Sequence, residues 1–252
     1  MTAAAEIQKT LLPKSAVDLE GFDIAWIFEP CDQMGGDIFN IIRIDENHIV
    51  IYMLDVSGHG VPAAMITVSV SQFLQQNLLG LLKKKGDREE LSPARVLAGL
   101  DDEFPFERFD NFFTITLITI NTKNGSLIYS NGGHPFPVLL HSDNELELLD
   151  KKGPIIGMGS LTLIDDRKAG FEEGRFKIEP GDKLFVYSDG IVEYHNQHEQ
   201  LYGENRFFSN LKTHGDEPVS RIVEDCRKDL FKFGENTKQR DDITLVGVEM
   251  KR

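Results

Sequence analysis

Four places in this chain set an acidic residue at the edge of an apolar run, beside a glycine or a second acid. Asp55 closes the run Ile49-Val50-Ile51-Tyr52-Met53-Leu54 and is followed by Val56-Ser57-Gly58-His59-Gly60. Asp37 follows Gly35-Gly36. Asp189 follows Leu184-Phe185-Val186-Tyr187-Ser188 and precedes Gly190, and Asp241-Asp242 open the run Ile243-Thr244-Leu245-Val246. A carboxylate leaving a core needs a partner, because an isolated buried charge costs too much to keep. Several carboxylates meeting at one place could not all stay ionised without cations. Oxygen donors with no matching His or Cys set select a hard cation, Mg²⁺ or Mn²⁺. For each Asp alone, a turn or cap role is the competing reading. The repetition of strand, Asp and Gly is what favours a shared site.

The elements that must hold these residues follow from periodicity. The Ile- and Val-rich run 49–54 predicts a buried strand, with Asp55 where it leaves the core. Partial alternation predicts strands over 22–28 and 37–44, and these three strands are expected to be hairpin-linked antiparallel neighbours. From Pro62 the pattern turns helical: Ala63, Ala64, Met65, Val68, Val70, Phe73, Leu74, Leu78, Leu81 and Leu82 carry it to Lys83-Lys84-Lys85, with Gly86 as the stop. Ser92-Pro93 predicts an N-cap and first position for a helix through Glu103. A strand over 112–120 turns at Asn124-Gly125 and returns through Leu127-Ile128-Tyr129. Runs 138–140 and 146–149 read as a hairpin, and 176–178 with 184–187 as another across Pro180-Gly181-Asp182. Helices are expected over 204–212 and 219–233, and a last strand over 243–248. Residues 2–12 read as a short helix stopped by Pro13, the end of a longer upstream helix. With no linker or repeat dividing the remainder, the pattern predicts one α+β domain, two antiparallel sheets covered by helices.

Composition narrows the chemistry. A net charge of −14 over 252 residues argues against nonspecific nucleic-acid binding and against anionic membrane surfaces. An acidic protein acting on phosphate needs cations to reverse its local field. The two cysteines, Cys31 and Cys226, lie far apart without metal spacing and read as buried free thiols. No window approaches the roughly 18 apolar residues of a membrane span, and the start lacks the regions of a signal peptide, so a soluble, cytoplasmic domain is expected. Gly58-His59-Gly60-Val61-Pro62-Ala63 matches a dinucleotide fingerprint, but no second strand ending in an acid follows it. No Gly-Lys dipeptide exists to make a phosphate loop. His59 and His134, in glycine-rich loops, serve either local backbone or the site.

Taken together, these residues resemble the metal-dependent protein phosphatase (PPM) family, of the bacterial SpoIIE/RsbU type. The matching segments are Glu6-Ile7-Gln8-Lys9-Thr10-Leu11-Leu12-Pro13, Met34-Gly35-Gly36-Asp37, the stretch from Asp55 to Met65, Phe112-Phe113-Thr114, Asn131-Gly132-Gly133-His134-Pro135, Ser188-Asp189-Gly190 and Asp241-Asp242-Ile243-Thr244-Leu245. They occur in family order across nearly the whole chain. The resemblance implies an α-β-β-α sandwich, with residues 14–252 as the phosphatase domain and residues 1–13 as a linker helix. It implies two ions, Mn²⁺ or Mg²⁺, with Asp55 bridging both, Asp37 and the Val56 backbone carbonyl on one side, and Asp189 and Asp241 completing the site. Asp242, Ser57, His59, Thr114 and His134 are then candidates for supporting the ligands or meeting the substrate. The implied reaction is in-line attack on phosphorus by a metal-activated water, without a covalent enzyme intermediate. The implied substrate is phosphoserine or phosphothreonine on a protein, a small STAS-type anti-sigma-factor antagonist. The domain would be a signalling output unit, regulated through residues 61–103 and able to form a homodimer through residues 1–13 and neighbouring helices. The chain departs from the family at Asn40, where members often carry an acid, and no Arg is evident as a phosphate clamp. The alternative is a non-catalytic regulatory binding module with the same fold.

Overall fold

The computed structural model describes residues 8, 10–13, 19, 21–32, 34–58, 60–82, 91–158, 163–164, 167–168 and 170–251. Among them the elements run β1 (Phe22–Glu29), β2 (Asp37–Arg43), β3 (His48–Val56), α1 (Val61–Leu82), α2 (Pro93–Glu103), α3 (Phe106–Phe109), β4 (Phe113–Asn121), β5 (Ser126–Gly132), β6 (Val138–Leu140) and β7 (Leu146–Leu148). They continue with β8 (Leu163–Ile164), β9 (Arg167–Lys168), β10 (Gly174–Lys177), β11 (Lys183–Tyr187), α4 (Asp189–Val192), α5 (Glu204–Thr213), α6 (Val219–Phe233) and β12 (Ile243–Met250).

Two five-stranded antiparallel sheets result, one ordered β1-β12-β11-β6-β7 and the other β10-β5-β4-β3-β2, with β8 and β9 a separate pair. Because successive strand residues point to opposite faces, each sheet offers two apolar surfaces. The inner faces meet through Phe39, Ile51, Met53 and Ile118 from one sheet and Leu139, Val186 and Val246 from the other. On the outer face of the second sheet, Val50, Tyr52 and Leu54 pack beneath Val70, Leu74, Val96 and Leu97 of α1 and α2. On the outer face of the first, Phe185, Tyr187 and Leu245 pack beneath Phe207, Ile222, Val223 and Leu230 of α5 and α6. Each such side chain contributes about 1.5–3 kcal/mol when fully buried. The layers are therefore helix, sheet, sheet, helix, the α+β sandwich the sequence implies.

Two pairings differ from expectation. β1 joins not β2 but β12, in the register Phe22 with Met250 through Glu29 with Ile243. β10 joins β5, whereas β11 joins β6 and β12 in the opposite sheet, so β10 and β11 are not a hairpin. In both cases the connecting loop crosses from one sheet to the other. Hairpin logic holds only where the chain stays in one sheet, as it does from β2 to β3.

Smaller differences have local causes. Asp55 lies within β3, not beyond it. Ser92 occupies the N-cap of α2 without capping it; its hydroxyl donates to Glu173 Oε1 at 2.6 Å, and that same oxygen accepts the Ala94 N–H at 3.2 Å. Glu173 thus does the capping from a distant segment. The short helices α3 and α4 and the strands β8 and β9 are too brief to show a period. Both cysteines are free, but only Cys226 is buried; Cys31 is half-buried. Of the expected N-terminal helix, Gln8, Thr10 and Leu11 are helical, Leu12 already lies in a bend, and the other residues lie outside the described ones, as do Lys83-Lys84-Lys85 and Gly86. No helix among the described residues is long and apolar enough to cross a membrane.

Candidate functional site

The candidate residues are placed by continuing an alternation. Phe39 and Ile41 in β2, Ile49, Ile51 and Met53 in β3, Ile118 and Ile120 in β4, Leu184 and Val186 in β11, and Val246 and Val248 in β12 all face the space between the sheets. Stepping on by two toward one end reaches Asp37, Asp55, Thr116 and Thr114, Ser188 and Thr244. The last layer of the inner core is thus polar, built on the same frame as the apolar layers beneath it.

Register brings the acids together. Asp37 stands opposite Asp55 across β2 and β3, and Asp55 opposite Thr114 across β3 and β4, so the three side chains share one face. From the other sheet the Thr244 hydroxyl donates to Asp37 Oδ2 at 2.6 Å. The Ser188 hydroxyl donates to the Asp242 carbonyl at 3.3 Å and accepts the Thr244 N–H at 3.1 Å. Asp189 follows at once, at the start of α4. Asp242 is buried and accepts two backbone N–H groups, from Cys31 at 2.8 Å and Asp37 at 3.1 Å. Asp241 is exposed and accepts the Asp242 N–H at 2.8 Å.

Electrostatics follow from that crowding. Burial, then Asp55 and Asp242, hold the Asp37 carboxyl well above the ordinary carboxylate range. Burial, then Asp189, Asp241, Asp242 and Glu193, push Asp55 up to about 8. Asp189 rises through burial and Glu193. The charged neighbours that act most on Asp55 are all acids, so a cation placed among them would be favoured by each. Among the described residues no three His, Cys, Asp or Glu side chains are already gathered round one point as a grip on an ion. The fit to a cation therefore rests on donor chemistry: an oxygen-rich wall in which the strongest charges on Asp55 are like charges, and Gly36 leaves the Val56 carbonyl uncovered by any side chain of its own. A Cβ there would lie 2.6 Å from that oxygen. Hard divalent cations take such donors.

The remaining predicted residues divide. Thr114 pairs with His134, Oγ1 to Nδ1 at 2.8 Å. His134 is buried and kept neutral, with burial pushing it down to about 3 and the nearby Tyr187 carbonyl opposing slightly, although Nε2 makes no hydrogen bond of normal geometry. Asn131 closes the loop beneath it, accepting the His134 N–H at 2.9 Å and donating to the Thr116 hydroxyl at 2.9 Å. Ser57 is turned away from the acids: its hydroxyl bonds Asn111 Oδ1 and its N–H donates to the Phe112 carbonyl at 3.0 Å. His59 lies outside the described residues. Ser188, Thr244 and Glu193 belong to the site although their types alone do not announce it; continuing the alternation of β11 and β12 would have found the first two. Beside Gly190 and Asp241 a cavity of about 230 Å³ opens, with Tyr194 and Leu201 in its wall and Arg240 bound to Glu199 by two bonds of 2.8 and 2.7 Å.

The stage II sporulation protein E (SpoIIE) family matches residues 45–251. Protein IcfG of Synechocystis is 27% identical over 96% of this chain, and phosphoserine phosphatase RsbP of Bacillus subtilis 26% over 98%. The chain spans 40% of the first and 57% of the second. The solved SiaA-PP2C domain of Pseudomonas aeruginosa superposes with a TM-score of 0.81 at 22% identity, covering 98% of this chain and 94% of that one. That likeness extends to the fold.

Proposed function

This chain belongs to the SpoIIE family, within the PPM-type serine/threonine phosphatases, and from that premise we propose that it hydrolyses phosphoserine or phosphothreonine on a partner protein with two divalent cations, Mn²⁺ or Mg²⁺. The residues that would hold them are Asp37, Asp55, the Val56 carbonyl, Asp189 and Asp241. The observation that carries the reading is the polar last layer of the inner core, where Asp37 and Asp55 stand side by side and burial with like charge raises both. When bound, such cations supply Lewis acidity to water and neutralise phosphate oxygens.

The chain's own groups have distinct tasks. Thr244 donates to one oxygen of Asp37 and so fixes the orientation of that carboxyl. Asp242 spends both oxygens on backbone N–H groups and so holds the segment from Cys31 to Asp37 against β12. Thr114 and His134 form a neutral wall beside Asp55, which keeps competing cationic charge out of the layer. The cavity by Gly190 and Asp241 gives the protein substrate a place next to the carboxylates.

The substrate class is a small phosphorylated STAS-type protein, supported by the family and by a relative named as a phosphoserine phosphatase. The domain acts in the cytoplasm as an output unit, with residues 1–13 as the end of an upstream helix that supports a homodimer and residues 14–252 as the phosphatase domain. Incubating the chain with phosphorylated STAS proteins and Mn²⁺ tests the reaction. Phosphate release that a chelator and Asp55→Asn both abolish is the expected result; tight binding without turnover under any metal condition would instead favour the binding module. Sedimentation of the chain with and without residues 1–13 tests the dimer, and identical monomeric behaviour would count against it.

A further inference from the structure

The Gly35-Gly36 dipeptide that leads into Asp37 has no space for side chains. A Cβ on Gly35 would meet Asp242 Oδ2 at 2.0 Å, and one on Gly36 the Val56 oxygen at 2.6 Å. Its peptide groups are gripped instead by two side chains from elements outside the carboxylate layer. Gln8, only 3% exposed, donates from Nε2 to the Gly35 carbonyl at 2.7 Å and accepts the Gly35 N–H on Oε1 at 3.2 Å. The same Nε2 lies 3.5 Å from the Asp37 carbonyl. From α1, the fully buried Thr67 hydroxyl reaches the Gly36 carbonyl at 3.0 Å as well as the Ala63 carbonyl at 3.0 Å. A helical threonine needs only the carbonyl four residues back to be satisfied, so the Gly36 bond is an added link between elements.

A primary amide that spends both its ends on one residue fixes the tilt of the adjoining peptides, and burying it without those bonds would be costly. The segment bearing Gln8 is itself pinned to β2, because Asn40 donates to the Leu11 carbonyl at 2.8 Å. That is the task of the residue standing where the family often has an acid. We infer that Gln8 and Thr67 are positioning residues for cation binding: acting on the adjacent carbonyls of Gly35 and Gly36, they set the backbone that presents Asp37 beside Asp55. The inference rests on the cation-binding reading of the site.

Calorimetric titration of the whole chain with Mn²⁺, paired with thermal melts, tests it. Gln8→Met and Thr67→Val keep side-chain size and remove the hydrogen bonds; Thr67→Ser keeps the hydroxyl. Groups that orient metal ligands are worth roughly 10–100-fold in affinity. Gln8→Met and Thr67→Val should each weaken Mn²⁺ binding at least about tenfold, with kcat recovering at saturating Mn²⁺, while Thr67→Ser stays within about twofold of the parent. Variants that melt lower yet bind Mn²⁺ as tightly as the parent would overturn the inference and leave the phosphatase reading standing. A parent chain that binds no Mn²⁺ would overturn both. Should Gln8→Met fail to fold, the Val and Ser variants at Thr67 decide the matter alone.

Discussion

The inner faces of β2, β3 and β12 carry two chemistries on one repeat. Toward one end, Ile41, Ile49 and Val248 are shut away from water in an apolar layer; toward the other, the same faces finish in Asp37, Asp55 and Thr244. Within each sheet one antiparallel ladder runs through both ends. Alternation therefore decides where a side chain points and leaves its chemistry free. The apolar end contributes stability in proportion to buried area. The acid end works against stability, since it gathers like charges where water is scarce.

The largest effect that would sharpen this contrast is on turnover. Asp55→Asn should lower Mn²⁺-dependent phosphate release by about a thousandfold or more, the several kcal/mol that a metal site supplies. An active variant would break the comparison. At the opposite end, Ile49→Ala should cost about 2–5 kcal/mol in denaturant unfolding and leave kcat/KM within about twofold.

A third expectation concerns chelated protein. The Asp55 carboxyl titrates at about 8 in the fold against an ordinary value of 3.8, so the folded state keeps a proton that the unfolded chain has lost. Stability should then fall as pH rises from about 4 to about 8, and Asp37 and Asp189 push the same way. Asp55→Asn should flatten that slope in melts with a chelator, its advantage growing with pH. The smallest effect is at His134, whose value of about 3 lies below the ordinary 6.5. Here the folded state binds fewer protons, so stability is lost as pH falls below 6.5; His134→Gln should recover about 1 kcal/mol of that loss near pH 5.5.

What could be read from the sequence depended on range. The helices at 204–213 and 219–233 were legible because their period lies within a single element. Asp55 was legible because an apolar run points straight at it. The partner of β1 was not, because a strand's alternation reports its own faces and says nothing about a neighbour more than two hundred residues away. Gln8 escaped for the same reason: an amide on an apolar helical stretch looks like a solvated residue until the Gly35 peptide is placed against it. For Ser57, proximity to Asp55 along the chain says nothing of where the hydroxyl goes, which is to Asn111. The acids could be recognised one at a time, but their convergence is a property of register between strands.

The pairing of β1 with β12 has a consequence for synthesis. Among the described residues β1 lies at the edge of its sheet, with β12 as its only strand partner. While the chain is being made, residues 22–29 must wait, their ladder positions unmet, until residues 243–250 have cleared the ribosome. Partners so distant in sequence are slow to meet, and an unpaired edge in the interval is open to mispairing with other chains. Thr244 arrives on that last strand and Asp242 just ahead of it, so a nascent chain cannot assemble the acid layer early. The site is completed in the same event that closes the sheet, and a ribosome-bound fragment ending before residue 241 should neither protect β1 from protease nor hold Mn²⁺.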